Sequence, residues 1–266
     1  MILINKILAT DTKNFIISKL QKKIAKLSKT YFVPTSLKRL PQNNYEMKWD
    51  LKYQEDLVKK YKQTNHLNSF NTFPKISITL SKLFPDKNHN FNFLDFGGEN
   101  IDFYLDIKKN FKNIDYFVYN KEEVSKNFLN LKEKHKFRNL KILSDLNEIK
   151  KYEYDFINFG SVIQYVDNYR EVLSEVLKVS KKFVLFSGTH FYESVLNKNE
   201  SLVVKQVNLL PNKFYCYFFN FNQFIETFNI QNFSVISRDR NTTDKLNYKN
   251  FKDLEKIEYT DLLLSK

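Results

Sequence analysis

Four consecutive residues, Asp95-Phe96-Gly97-Gly98, carry the strongest chemical signal in this sequence. They end an apolar run that starts at Phe91 and is typical of a buried parallel strand. A carboxylate followed by two glycines allows a sharp turn and a close approach of the backbone to a ligand. The chain has four glycines, and the other two, Gly160 and Gly188, lie at or just after the ends of later apolar runs. Because ligands of open α/β sheets bind at such carboxyl ends, the pattern predicts a ligand site there.

The turn favours a ligand without phosphates. The sequence has neither a Gly-Lys-Ser/Thr phosphate loop nor a full Gly-x-Gly-x-x-Gly fingerprint. Asp145 and Gly160-Ser161 follow later strand-like runs and strengthen the prediction of a site at this edge. A ligand without phosphates therefore suits this turn better than ATP or NAD.

From residue 91 onward, short apolar runs alternate with helical segments, which is the pattern of β-α-β units. The predicted strands cover 92–96, 116–119, 141–143, 155–159 and 183–187, and the predicted helices cover 101–110, 121–133 and 168–179. Residues 214–219 are a further apolar stretch, followed by a predicted helix at 222–228 and predicted strands at 233–238 and 257–264. The fold class is therefore α/β, with an N-terminal helical extension.

We divide the chain into three regions: a basic amphipathic segment at 1–44, a helical cap or lead-in at 45–90, and a Rossmann-like domain at 91–266. The middle region predicts two helices. One opens at Trp49-Asp50, where Trp49 is expected as a core anchor, and the other opens at Phe73-Pro74.

The segment 13–29 predicts an amphipathic helix. Ile16, Leu20, Ile24 and Leu27 fall at helical spacing, while the lysines lie largely elsewhere. Such a helix could lie on an anionic membrane surface, or it could dock on the domain with its lysines in water. Pro34 and Pro41 then predict a linker.

The formal net charge of +13 is concentrated at the N-terminus, because residues 1–40 hold nine Lys and Arg against one acid, Asp11. A nucleic-acid-binding domain would more often spread basic residues over its folded surface, so we do not expect a nucleic-acid partner, although binding through 1–40 stays a third hypothesis.

Cys216 is the single cysteine, which excludes a disulfide or a cysteine-based zinc site within one chain and fits a reducing compartment. We expect no metal.

No apolar run approaches the ~18 residues of a membrane span, and the apolar start at residues 1–4 is too short for the core of a signal peptide. We therefore predict a cytoplasmic protein. Peripheral contact with an anionic membrane through 13–29 is a separate prediction, and the sequence does not predict the oligomeric state.

Asp95-Phe96-Gly97-Gly98 resembles motif I of the class I S-adenosylmethionine-dependent methyltransferases. Residues 45–266 further resemble a bacterial methyltransferase family encoded among surface-polysaccharide genes. The matching stretches, apart from motif I and Trp49, are Tyr154-Asp155-Phe156-Ile157, Ser161-Val162-Ile163-Gln164-Tyr165, Val204-Lys205-Gln206-Val207 and Phe214-Tyr215-Cys216-Tyr217-Phe218-Phe219. The resemblance implies a Rossmann-like, mostly parallel seven-stranded sheet with helices on both faces. It also implies S-adenosylmethionine as cofactor and O-methylation of a sugar or surface-glycan precursor.

On this interpretation the cofactor contacts the strand ends. The predicted cofactor residues are Asp95, Gly97, Gly98, Asn120, Ser144, Asp145, Gly160 and Ser161. The glycine pair would present N–H groups to the methionine part, and Asp95 would orient the turn or hold the amino group. Asn120 would contact the ribose, and Ser144 with Asp145 would meet the adenine edge. Asp95 could instead cap the turn, Asn120 could serve turn chemistry, and Asp145 could be a helix N-cap.

Substrate binding is predicted for Gln164, Tyr165 and Tyr217, and His190 is the candidate general base for an oxygen acceptor. Residues 164–165 could equally be loop packing. A histidine such as His190 is more often a surface or satisfied residue than a base, and aromatic residues such as Tyr217 are more often core.

Three places depart from the family pattern. Glu99-Asn100 stands where the family continues with glycine, Asn120 stands where an acid is usual, and Thr189-His190 follows Gly188 where an arginine is usual. An asparagine can hydrogen-bond a ribose hydroxyl, but without the charge-assisted strength of a carboxylate. These departures support an alternative, a non-catalytic binding or scaffold protein that retains a degenerate methyltransferase fold.

Overall fold

The computed structural model describes residues 17–42, 44, 50–64, 73–194, 200–210, 212, 214–240 and 246–266. Trp49 and Ile16 lie outside the described residues. The helices are α1 (17–28), α2 (Leu51–Thr64), α3 (Phe73–Leu83), α4 (Ile101–Asn110), α5 (Glu122–His135), α6 (Leu146–Ile149), α7 (Tyr169–Lys178) and α8 (Phe221–Asn229). The strands are β1 (Phe32–Pro34), β2 (Phe91–Phe96), β3 (Ile114–Tyr119), β4 (Leu140–Leu143), β5 (Tyr154–Gly160), β6 (Ser180–Glu193), β7 (Ser201–Gln206), β8 (Phe214–Asn220), β9 (Ser234–Arg240) and β10 (Lys256–Ser265).

The strands described here form one sheet, whose central part has the order β4-β3-β2-β5-β6-β10-β9. The first five of these strands run parallel, whereas β10 is antiparallel to both β6 and β9. These seven strands are the mostly parallel sheet that the resemblance implied, and the predicted Rossmann-like α/β fold is confirmed. The whole sheet is larger, because β8, β7 and β1 extend it beyond β6.

Two hydrophobic cores cover the two faces of the parallel strands. One core joins β2, β3 and β5 to helices α2, α3, α4 and α5, and the other joins them to α6, α7 and α8. In β2, Phe93 belongs to the first core and Leu94 to the second. A strand buried on both faces needs apolar residues at successive positions, which explains why Phe93 and Leu94 stand next to each other in β2.

Strand β6 is much longer than the predicted 183–187. It passes through Gly188, which adopts a left-handed φ of 59° and whose N–H donates to Asp261 Oδ1 at 2.8 Å. The register with β10 shifts at the same place, between Thr260 and Leu262. A glycine inside a strand often marks such a bulge, and here it does not end the strand. Beyond it, Phe191 pairs with Phe219 of β8.

The segment between Pro34 and Pro41 is attached to the sheet and is not a free linker. Pro34 ends β1, which pairs with β7, and an edge strand tolerates a residue without an N–H. Thr35 Oγ1 donates to the Val203 carbonyl at 2.7 Å, and the buried Leu40 donates its N–H to Asp167 at 3.1 Å.

The domain limits at 44 and 90 stay a prediction. Among the described helices, none has the length and apolar character needed to cross a bilayer.

Candidate active site at the carboxyl edge of the sheet

The candidate site lies where the strand order reverses. From β2 the chain continues to β3 on one side, while β5 pairs with β2 on the other side. The turns after β2 and β5 meet there, because a Cβ placed on Gly97 would lie 2.4 Å from Val162 Cγ2. Gly97 also has a φ of 79°, so both its conformation and its surroundings require glycine.

Asp95 is buried beneath this turn. Its two carboxylate oxygens accept hydrogen bonds from the Tyr116 hydroxyl at 2.6 Å and from Asn158 Nδ2 at 2.9 Å. A Cβ on Gly98 would lie 2.3 Å from Asp95 Oδ2, so Gly98 is needed for the carboxylate to fit. Burial raises the Asp95 pKa to about 6, although both hydrogen bonds act to lower it. The carboxylate therefore bonds to neighbouring strands, and its effect on the turn is to support it from below.

The glycine N–H groups, predicted to face a cofactor, bond within the protein. Gly97 N–H donates to the Tyr119 carbonyl at 2.7 Å, and Gly98 N–H makes a long bond of 3.4 Å to the Asp95 carbonyl. The Gly98 carbonyl accepts from Asn120 Nδ2 at 2.8 Å, and Asn120 Oδ1 accepts from the N–H of Lys121 at 2.7 Å. Asn120 therefore stabilises the turn, which is the alternative to a ribose contact that the sequence left open. A carboxamide has two N–H donors and two lone pairs, so a ribose contact stays a prediction.

Ser144 and Asp145 form the start of α6. Asp145 Oδ1 accepts from the N–H groups of Asn147 at 2.7 Å and Glu148 at 3.0 Å, which makes it the N-cap. Glu148 Oε2 in turn accepts from the Ser144 N–H at 2.6 Å. The pKa of Tyr119 is raised by burial first and then by the Asp145 charge, so Asp145 lies within electrostatic reach of the end of β3. The adenine contact of this pair stays a prediction.

Ser161 connects the cofactor edge to β6 and β10. Its φ of 53° is left-handed, and its N–H donates to the Ser187 carbonyl at 2.8 Å. Its hydroxyl lies 3.2 Å from the Gly188 carbonyl and 3.3 Å from the Tyr259 hydroxyl. The structure therefore brings Gly160 and Ser161, at the end of β5, together with the bulge of β6.

Gln164 and Tyr165 lie in a short 3₁₀ turn directly after Val162. Gln164 is buried, and its Oε1 has no hydrogen-bond partner among the described residues. The Tyr165 hydroxyl makes a long hydrogen bond of 3.4 Å to Gln206 Oε1. Burial is the main cause that raises the Tyr165 pKa, and the charge of Glu99 adds to it, so Glu99 lies within electrostatic reach of Tyr165.

His190 is enclosed by aromatic rings. Its ring stacks on Phe218 at 4.4 Å with an interplanar angle of 5°, and Phe32 and Tyr259 lie 4.6 Å away. Only 2% of the residue is exposed, and neither ring nitrogen has a hydrogen-bond partner in the part of the chain that the structure describes. Burial lowers the pKa to about 3, so the ring is neutral at pH 7 and a weak base in this environment. The general-base role stays a prediction.

Tyr217 lies apart from these residues. Its hydroxyl donates to Asp167 Oδ1 at 2.8 Å, and its ring packs against Tyr169. Because side chains alternate along a strand, Tyr217 faces the opposite side of β8 from Phe218, the residue on which His190 stacks. Tyr217 belongs to the hydrophobic core, which is the alternative to substrate binding that the sequence left open.

The sequence reasoning missed Asn158, Tyr116 and Tyr259. Asn158 is a buried polar residue inside the apolar run 156–159, and this interruption was a usable signal. Tyr116 and Tyr259 reach the site only through strand pairing, which the sequence does not specify.

The donor and acceptor groups at this edge fit a nucleoside with hydroxyl and amino groups. Ser144 and Asp145 are exposed on one loop, and Glu99 is exposed on the neighbouring turn. The buried Gln164 Oε1 lacks a partner among the residues that the structure describes, and buried polar atoms are normally satisfied, so this oxygen is a candidate acceptor for a ligand group. The N–H groups of Gly97 and Gly98 bond within the protein, and their contact with a cofactor stays a prediction.

No protein-family model matches the sequence, and no curated protein matches it. Among solved structures, the N-terminal domain of EvdMO1, crystallised in the presence of SAH and D-fucose, is 11% identical, with 85% of this chain and 98% of that chain covered and a TM-score of 0.49. The 1,6-didemethyltoxoflavin-N1-methyltransferase of Burkholderia thailandensis is also 11% identical, with 88% and 99% covered and a TM-score of 0.49. An S-adenosylmethionine-dependent methyltransferase from Clostridium acetobutylicum is 10% identical, with 79% and 98% covered and a TM-score of 0.45. The fold assignment itself rests on the strand order of this chain.

Proposed function

We propose that this protein is an S-adenosylmethionine-dependent methyltransferase that acts on a hydroxyl of a sugar or surface-glycan precursor. The observation that carries the proposal is the junction of the two turns at the reversal of strand order. There Asp95 accepts a hydrogen bond from Asn158 at 2.9 Å, and the turn after β2 touches the turn after β5, because a Cβ on Gly97 would lie 2.4 Å from Val162 Cγ2. Ligands of open α/β sheets bind at this point, and motif I supplies the identity of the ligand. The glycan acceptor is supported by the sequence resemblance only.

When bound, the sulfonium cofactor supplies both the methyl group and the driving force of its transfer. The protein contributes orientation and the exclusion of water. Asn120 would offer its second amide hydrogen to a ribose hydroxyl, and Asp145 would offer its second carboxylate oxygen to the base. Gln164 Oε1 would accept a hydrogen bond from the methyl acceptor. His190 stays the candidate base, and a ring with a pKa of about 3 predicts a transfer rate that is constant between about pH 5 and pH 8.

Binding of S-adenosylhomocysteine, measured by titration calorimetry, tests the cofactor site. Asn120→Ala should weaken the affinity about tenfold, because one hydrogen bond is worth about 1 kcal/mol and the turn also loses its support. Asn139→Ala is the matched control, since Asn139 Nδ2 donates to the Ile114 carbonyl at 3.0 Å at the opposite edge of the sheet. Both variants should lose similar stability in urea, whereas only Asn120→Ala should change the affinity.

Absence of heat at millimolar ligand with the wild-type protein would contradict the cofactor site and, with it, the methyltransferase. The acceptor is tested separately with methyl-labelled cofactor and a panel of sugars and nucleotide sugars. A hydroxyl acceptor yields an alkali-stable methyl ether, whereas a carboxylate acceptor yields an ester that alkali cleaves.

A non-catalytic binding protein is the second candidate function. Two observations favour it: the N–H groups of Gly97 and Gly98 bond within the protein, and the His190 ring is closed off by aromatic neighbours. Cofactor binding without methyl transfer to any acceptor in the panel would support this candidate.

A further inference from the structure

Helix α1 presents an apolar stripe to solvent. Leu20, Ile24 and Leu27 are 59%, 56% and 78% exposed, whereas the buried residue of the described helix is Ala25. At about 100° per residue, the three side chains of the stripe fall within an arc of about 60°, and Ala25 lies on another side of the helix. The side of the helix that contacts the protein is therefore not its most apolar side.

The orientation of α1 is fixed at its C-terminal end. The Lys29 carbonyl accepts from the N–H of Asn247 at 2.9 Å, and Lys29 has a left-handed φ of 56°. The chain then enters β1, where Phe32 is buried against Phe218. Because α1 is held in this way, the stripe points outward as a defined feature of the surface.

Positive charge borders the stripe on the helix and in the segment that follows. Residues 17–42 contain seven Lys and Arg and no Asp or Glu. Lys19, Lys23 and Lys26 are exposed and, by the same helical spacing, lie together along one side of the stripe. A helix with exposed Leu and Ile beside a row of lysines has the composition of helices that lie in the surface of an anionic bilayer.

We propose that α1 binds the protein to an anionic lipid surface, with Leu20, Ile24 and Leu27 inserted between the headgroups. The lysines would extend along the apolar surface and keep their ammonium groups at the level of the lipid phosphates. The lysines beside the stripe are positively charged, so they favour a negatively charged lipid surface over a neutral one. The apolar stripe distinguishes it from a nucleic acid, which would contact lysines without needing exposed leucine and isoleucine.

The test is co-sedimentation of the full chain with vesicles of phosphatidylcholine alone and with vesicles that contain 30% phosphatidylglycerol. The wild-type protein should bind the anionic vesicles and remain in the supernatant with the neutral ones. A stripe variant, Leu20→Gln with Ile24→Gln and Leu27→Gln, should lose binding at least tenfold. Its control is Ile230→Gln with Ile236→Gln, because these residues are also exposed and lie outside α1.

A charge variant, Lys19→Glu with Lys23→Glu and Lys26→Glu, should lose binding about 100-fold, since each basic residue near an anionic surface contributes about fivefold. Its control is Lys87→Glu with Lys151→Glu and Lys252→Glu, which changes the net charge equally at exposed positions outside α1. Far-UV circular dichroism checks that each variant is folded.

The proposal is overturned by any of four results: no wild-type binding, unchanged binding of the stripe variant, equal loss in the charge control, or equal binding to neutral vesicles. It is also overturned if the stripe variant dissociates a wild-type dimer in analytical ultracentrifugation, because a second copy would then occupy the stripe. Retention of RNA that depends on the lysines but not on the stripe would assign the segment to nucleic acid.

Discussion

Replacing Asp95 by Asn should remove a pH-dependent loss of stability. Burial raises the Asp95 pKa from 3.8 to about 6, so the folded state holds this proton more tightly than the unfolded state does. The stabilisation by the proton is complete below pH 3.8 and is lost as the pH rises through about 6. Because one pH unit is worth about 1.4 kcal/mol, this loss reaches about 3 kcal/mol at pH 8.

Asparagine reproduces the protonated acid in shape and charge. Its Oδ1 can still accept from Asn158, and its amide can donate to the oxygen of the Tyr116 hydroxyl. Asp95→Asn should therefore match the wild-type protein in free energy of unfolding at pH 4 and exceed it by up to about 3 kcal/mol at pH 8. Urea unfolding at five pH values between 4 and 8 measures this difference. If the difference between the two proteins stays constant over that range, the reasoning about Asp95 is refuted.

Asp102 supplies the matched control. It is buried in the first turn of α4, its Oδ1 has no hydrogen-bond partner within the described part of the chain, and burial also raises its pKa to about 6. Asp102→Asn should show the same direction of pH dependence. Because asparagine can keep both hydrogen bonds beneath the glycine turn, Asp95→Asn should leave the binding of S-adenosylhomocysteine unchanged.

Four further substitutions test the packing and the hydrogen bonds around the site. Gly98→Ala would place a methyl group 2.3 Å from Asp95 Oδ2 and should cost about 3 kcal/mol in urea unfolding, whereas Gly160→Ala meets nothing closer than 3.0 Å and should cost about 1 kcal/mol or less. Equal losses would contradict this account of the turn. Asp145→Ala removes an N-cap that accepts two hydrogen bonds and should cost about 1 kcal/mol, measured in the same assay; an unchanged midpoint would contradict the capping role. His190→Phe keeps the ring stack and removes two ring nitrogens that have no partner in the described part of the chain, so calorimetry should record a higher melting temperature. A lower melting temperature would contradict this account of the ring.

The parallel core could be predicted because its signals are local. Each of the strands β2 to β5 is a mostly apolar run that ends at, or directly before, a polar or glycine residue, and α4 occupies the predicted 101–110. A strand buried on both faces requires such a run, so the sequence pattern is a direct consequence of the packing. Local signals also predicted helices α2 and α3, which begin at or next to the predicted residues.

The extension of the sheet could not be predicted from local signals. β1 has three residues and β7 has six, and each is stabilised mainly by its partner strand. β-propensity depends strongly on neighbouring strands, so such segments do not identify themselves in a sequence. Gly188 was interpreted as lying just after a strand end, because the sequence near it does not show the bulge. The Asp261 carboxylate that accepts the Gly188 N–H bond is 73 residues away.

At the candidate site, the sequence located the edge but not the contacts. The positions of Asp95, Asn120 and Ser161 at strand ends follow from the strand pattern. Whether a glycine N–H faces a ligand or a carbonyl depends on the neighbouring strand. Here the Tyr119 carbonyl of β3 accepts the hydrogen bond of the Gly97 N–H. The position of Tyr217 depends on the alternation of side chains along β8, where a shift by one residue exchanges the two faces.

The bulge at Gly188 joins the two halves of the proposed site. Before it, β6 pairs with β5 and supports Ser161 through the Ser187 carbonyl; after it, the same strand carries His190 among aromatic rings. A Cβ on Gly188 would lie 2.2 Å from Ser161 Oγ and 2.5 Å from the Tyr259 hydroxyl. Gly188 therefore packs directly against Ser161 of the proposed cofactor edge and Tyr259, a neighbour of His190. On the proposed function, substitutions in β8 near His190 would change the acceptor end while the hydrogen bonds of Asp95 stay intact, so acceptor specificity and cofactor binding would change independently.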